Sequence, residues 1–143
     1  MKSRYTLVAQ RALHHCEYCK APEAIFNFPF EVEHITPPRR GGTNGDENLA
    51  LACRSCNLFK SDFLVYQDPV SLETARLFHP RVDRWQDHFA CNFELGSIDA
   101  LAPIGRALDT DWKSNSCMLA NEFRSSALGK ASMGSTRALS LKW

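Results

Sequence analysis

Extended and helical periodicities alternate along the first half of the chain. In "FPFEVEHI", Phe30, Val32 and His34 fall on one side of an extended backbone, with Glu31, Glu33 and Ile35 on the other. That alternation predicts a half-buried strand. "TPPRRGGTNGDE" concentrates Pro, Gly, Asn and Asp, which predicts a loop, and "NLALA" predicts a second short strand after it. Upstream, Leu7, Val8 and Ala12 give an apolar side to a helix over Arg4 to Leu13, and "CEYCKAPEA" with Pro22 breaks it into a knuckle-like turn. Beyond the second strand, Phe59, Phe63 and Tyr66 recur at i, i+4 and i+7. They predict a helix from Arg54 to about Asp68–Pro69, because a residue before proline resists helical geometry.

The pattern weakens after Pro69. "PVSLETARLFHP" predicts a short helix ending at Pro80, and Trp85, His88 and Phe89 sit at helical spacing as a packing stripe. Arg124 to Ser140 is rich in Ser, Gly and Ala and reads as a loosely held tail. The expected architecture is α+β: a small core over residues 1–66, then a mainly helical or irregular extension over 67–143, with the tail after about residue 124.

Charge excludes one class of partner. The formal net charge is +1, and it is evenly spread, with eight Lys/Arg against seven Asp/Glu in residues 1–62 and nine against nine thereafter. A tight non-specific DNA binder carries a strongly basic footprint, so any nucleic-acid contact must come from local patches. Those are Arg39 with Arg40, Arg54 with Lys60, and the tail residues Arg124, Lys130, Arg137 and Lys142. No apolar run approaches the ~20 residues that span a bilayer. "MKSRYTLVAQRALHH" lacks the apolar core of a secretory signal, which makes a cytoplasmic address the expectation. Thiols stay reduced there, so paired cysteines point to metal rather than disulfides.

Cys16 and Cys19 form one C-x-x-C pair, and Cys53 and Cys56 another. Two thiolates two residues apart can approach one ion from a tight turn, and two such pairs complete a tetrahedral structural Zn²⁺ site. A redox pair of the thioredoxin kind should follow a strand in a βαβ pattern, which is absent. Cys91 and Cys117 have no near partner in sequence and read as ordinary thiols.

The predicted strand, loop, strand and helix carry Glu33, His34, Asn48, Asn57 and Lys60. This set suits phosphodiester hydrolysis. Carboxylate and amide oxygens can hold a hard cation, leaving coordination positions for water and phosphate. A neutral imidazole with a pKa near ~6.5 can take a proton from water around neutral pH.

"VEHITPPRRGGTNGDENLALACRSCNLFKSD", with "CEYC" upstream, resembles the HNH endonucleases, specifically their zinc-stapled four-cysteine members of the small bacterial type. The resemblance implies a ββα-metal, treble-clef-like core over about Cys16 to Asp62. His34 matches the general base, Glu33 and Asn57 the ligands of one catalytic divalent metal (Mg²⁺ or Mn²⁺), and Asn48 the central asparagine that holds the loop and orients the histidine. Glu33 stands where Asp is commoner, and Asn57 where His is frequent. The implied substrate is DNA, cut to a 5′-phosphate and a 3′-hydroxyl. Arg39, Arg40, Arg54 and Lys60 are candidate phosphate contacts, and near-neutral charge favours recognition delegated to a partner or a homodimer. "LFHPRVDRW" and "PIGRAL" resemble the extension of many such proteins. The competing reading is a zinc-stapled module that binds nucleic acid or protein without cutting. It requires the four cysteines but has no need of Glu33, His34, Asn48 and Asn57 in order.

Overall fold

The structure is a computed structural model that describes residues 3–92, 94, 95 and 97–108. Helix α1 spans Arg4–Arg11; its N-cap Ser3 accepts the Thr6 N–H at 3.2 Å on Oγ, satisfying one of the free donors of the first turn. Val8 and Ala9 are the buried side of this helix. The chain then turns through the first cysteine pair and enters strand β1, Glu31–His34. β1 pairs antiparallel with β2, Leu49–Ala52, in the register Glu33↔Ala50 and His34↔Leu49. All four β2 residues are buried, which is why that segment is apolar at every position rather than at alternate ones.

The connection between the strands follows from its glycines and from Asn48. Gly41 takes φ +84°, a left-handed conformation that closes a short turn over Pro38–Arg40. Gly42 has no room for a side chain: a Cβ there would lie 1.7 Å from the Thr36 carbonyl oxygen. Asn48 stitches the loop from inside. Its Oδ1 accepts the Thr36 N–H at 2.8 Å, and its Nδ2 donates to the carbonyls of Thr36 at 2.9 Å and Thr43 at 2.8 Å.

Helix α2 runs Arg54–Lys60, shorter than its periodicity predicts. Ser61 ends it with φ 47° and ψ −131°, outside right-handed helical geometry. The aromatic spacing that reads as helix belongs to an exposed hairpin instead, with β3 (Val65–Gln67) paired to β4 (Thr74–Arg76). Phe63 and Tyr66 do meet, edge to face at 5.9 Å, but from a turn and a strand. Asp68–Pro69 thus opens a hairpin turn rather than closing a helix. The buried Asp68 carboxylate accepts from the backbone of Val70 and Ser71, and Arg106 binds it through Nε at 2.8 Å and Nη2 at 3.0 Å.

The short helix expected to end at Pro80 is the second half of that hairpin. Helix α3 holds only Trp85–His88, and Phe89 begins β5 (Phe89–Asn92), which pairs with β6 (Ser97–Ala100) before α4 (Pro103–Arg106). The described part of the extension therefore contains two hairpins and two four-residue helices rather than a mainly helical pattern. One hydrophobic cluster joins both halves of the chain, with Val8, Leu49 and Leu51 on one side and Phe78, Trp85 and Phe89 on the other. The tail after about residue 124, its Arg124, Lys130, Arg137 and Lys142, and Cys117 lie outside the described residues. No helix among the described residues is long and apolar enough to cross a membrane.

Candidate functional site

The knuckle that carries Cys16 and Cys19 is closed by two backbone bonds, Lys20 N–H to Cys16 O and Cys16 N–H to Ala21 O, both 2.9 Å. The second pair is presented by α2 itself, with Cys53 at its N-cap and Cys56 in its first turn. These four sulfurs lie within 4.8 Å of one another, and all four residues are buried. Cys19 and Cys53 are 3.8 Å apart. Tetrahedral zinc with bonds of ~2.3 Å sets its sulfurs about 3.8 Å apart. Four soft donors at that spacing fit Zn²⁺. Among the described residues these four make the group of three or more Cys, His, Asp or Glu side chains that could hold a metal ion. Crowding polarises the thiols. S–H donation from Cys16, and also from Cys19 and Cys56, pulls Cys53 far down, and bonds first of all from Cys16 push Cys19 and Cys56 well up.

Glu33 points from β1 towards α2 and is only 5% exposed. Its Oε1 accepts the hydroxyl of Tyr18, the residue between the first two cysteines. Its Oε2 lies 3.1 Å from Lys60 Nζ, which also donates to the backbone carbonyl of His34 at 2.9 Å. Burial pushes the Glu33 carboxyl up, against the pull of the Lys60 ammonium and the Tyr18 hydroxyl. The Tyr18 hydroxyl is raised well above its ordinary value, by burial first and then by the Glu33 charge. Lys60, expected to be a phosphate contact, is 2% exposed. An ammonium enclosed by a carboxylate and a carbonyl has no path to a DNA backbone.

Asn57 lies one turn before Lys60, and its Nδ2 donates to Glu31 rather than to Glu33. Arg54 closes on the same Glu31 carboxylate at 3.2 Å. Glu31 and Glu33 thus share the helix-facing side of β1, one engaging the first turn of α2 and the other its end. The structure brings Glu33 beside Lys60 and Asn57 beside Glu31; it does not bring Glu33 and Asn57 into a bond with each other.

His34 leaves β1 on the opposite side, half-buried, with Nε2 2.7 Å from Asn44 Oδ1. Arg39 and Arg40 are exposed on the loop, where Arg39 meets Asp62 at 2.9 Å. Arg54 is likewise exposed.

Four site residues escaped the sequence reading: Tyr18, Glu31, Asn44 and Glu17. Glu31 had a signal, since strand alternation places it with Glu33 on one face. Glu17 and Tyr18 sit inside a ligand pair, where a side chain between two metal ligands is fixed in direction. Glu17 receives the Leu51 N–H at 2.9 Å on Oε2 and an ion pair from Arg81 on Oε1. Asn44 had no signal, because only the folded loop sets its distance from His34.

Compared with known proteins, residues 16–63 match a family model described as HNH endonuclease. No curated protein and no solved structure matches the chain. The matched segment holds all four cysteines, β1, β2, the Asn48-stitched loop and α2, with Glu33, His34, Asn44, Asn57 and Lys60 among them. The site described above thus coincides with the stretch, residues 16–63, over which the chain is similar to the HNH endonuclease family.

Proposed function

We propose that this protein is a metal-dependent endonuclease that hydrolyses DNA phosphodiester bonds, with His34 as general base. The observation that carries this reading is the divergence at the end of β1, where Glu33 faces α2 and its neighbour His34 faces the loop. Alternation along the strand separates a carboxylate and an imidazole by one residue, onto two sides of one edge. A phosphate lying across that edge would meet both. His34 then takes the proton of the attacking water, and Asn48 keeps the loop closed around it.

A hard divalent cation suits oxygen donors from β1 and α2. Asn57 spends its nitrogen on Glu31 and keeps its amide oxygen as a donor, and each Glu33 oxygen has a second acceptor site beyond the bond it already makes. Glu33 and Asn57 would hold the cation, Mg²⁺ or Mn²⁺, which when bound supplies Lewis-acid stabilisation of charge developing on phosphate and leaving oxygen. Meeting it requires Glu33 to turn from Lys60. Arg39, Arg40 and Arg54 remain as exposed phosphate contacts, while near-neutral charge supports recognition delegated to a partner or second copy.

One observation favours the competing reading of a binding module that does not cut: Glu33 is occupied by Tyr18 and Lys60. Plasmid nicking with added Mg²⁺ or Mn²⁺, comparing the intact chain with His34→Ala, separates the two. Cleavage that depends on His34 supports the enzyme; DNA binding without cleavage supports the module.

A further inference from the structure

The loop between β1 and β2 aims one side chain at His34, and that side chain belongs to Asn44. Oδ1 of Asn44 lies 2.7 Å from His34 Nε2. An amide oxygen only accepts, so the ring must present Nε2–H to it. A neutral imidazole carries one proton, which leaves the lone pair on Nδ1.

Both neighbours of Asn44 are fixed. The Thr43 carbonyl accepts from Asn48 Nδ2 at 2.8 Å, and the Gly45 carbonyl accepts the Asn48 N–H at 3.0 Å. Thr43 Oγ1 donates to Glu47 Oε1 at 2.8 Å while accepting the Gly45 N–H at 3.2 Å. At the strand end, Lys60 holds the His34 carbonyl, and the Ile35 N–H donates to Asn48 O at 2.8 Å. Asn48 therefore makes its contacts with the backbone on both sides of the loop, and among these bonds the one that reaches the imidazole comes from Asn44.

We propose that Asn44 is the positioning residue of His34: it selects the tautomer protonated on Nε2 and turns the basic Nδ1 towards the reacting water. This rests on the reading of His34 as general base, but the tautomer is measurable without any cleavage. The experiment is a long-range ¹H–¹⁵N correlation spectrum of the full chain, zinc-loaded and labelled with ¹⁵N-histidine, at a pH where the ring is neutral. His34→Gln assigns the signal.

The expected wild-type pattern is the Nε2–H tautomer. Asn44→Ala should average the two tautomers and lower kcat about tenfold with KM unchanged, the rate equivalent of one ordinary hydrogen bond. Asn44→Asp, which keeps an acceptor of the same length, should restore the wild-type pattern. An Nδ1–H tautomer in the wild type, or a pattern that Asn44→Ala leaves unchanged, overturns the proposal. Should the tautomer respond as expected while His34→Ala still cuts like wild type, the positioning contact stands and the general-base reading falls.

Discussion

The indole Nε1 of Trp85 donates to the backbone carbonyl of Tyr18 at 2.6 Å, across 67 positions of sequence. The same tyrosine meets Phe78 edge to face at 6.4 Å and gives its hydroxyl to Glu33. The C-terminal half thus grips the first metal knuckle, and the knuckle grips the carboxylate beside the candidate base. Trp85→Phe keeps most of the ring but leaves a buried carbonyl unpaired, and should cost about 1–3 kcal/mol. Trp85→Ala also opens a cavity and should cost about 3–5 kcal/mol. Urea unfolding of the zinc-loaded chain measures both. A Trp85→Ala midpoint equal to wild type would make the extension an appendage rather than part of the core.

Zinc should be inseparable from folding. The four cysteines link the knuckle, the end of β2 and the start of α2, and the binding energy of such a site is largely folding energy. Native mass spectrometry should find one zinc per chain. A strong chelator, or Cys19→Ser, should abolish the cooperative unfolding transition. Retention of that transition in metal-free protein would contradict the four-cysteine site.

Lys60 and Glu33 are both almost fully enclosed, with side chains 3% and 4% exposed. Removing one partner strands the other's charge, and Lys60→Met should destabilise by about 3–5 kcal/mol. A double variant, Lys60→Met with Glu33→Leu, should recover much of that loss, since well-packed apolar pairs replace buried ion pairs at little cost. Denaturant titration of the three proteins tests the coupling; a single variant as stable as wild type would mean that the pair is solvated.

The sequence foretold the part of the fold that metal and strand pairing dictate. Cysteine spacing located the four-cysteine cluster, alternation located β1 with Glu33 and His34 on opposite sides, and the Gly-Gly loop followed from turn chemistry. Prediction failed where local pattern and tertiary context disagreed. Phe59, Phe63 and Tyr66 carry a helical period, yet Ser61 ends the helix and Val65–Gln67 finds a strand partner in Thr74–Arg76. Lys60 reads as a phosphate contact, because the sequence does not reveal that β1 covers it. The pairing of Asn57 with Glu31 and of His34 with Asn44 depends on distances that only the folded loop and helix set.

Asp68 predicts the acid limb of stability. Arg106, against the cost of burial, and then the Ser71 hydroxyl hold its carboxyl well below the usual range, so the folded state gives up this proton more readily than the unfolded chain. The stabilisation is complete above the unfolded value near ~3.9 and drains away as pH falls from there towards the lower folded value. Asp68→Asn should therefore be less stable than wild type at neutral pH, with the difference narrowing below about pH 4. Unfolding curves over that pH range check this; a gap that stays constant with pH would remove the ion pair as its cause.

The central claim is that His34 makes this HNH-like segment a nuclease. Its most direct test is conversion of supercoiled plasmid to nicked or linear form by the intact chain with Mg²⁺ or Mn²⁺, beside a His34→Ala variant shown to be folded and zinc-loaded. Cleavage by wild type with a rate about 10²–10⁴-fold lower in the variant is the predicted result. Equal cleavage by both proteins would contradict it.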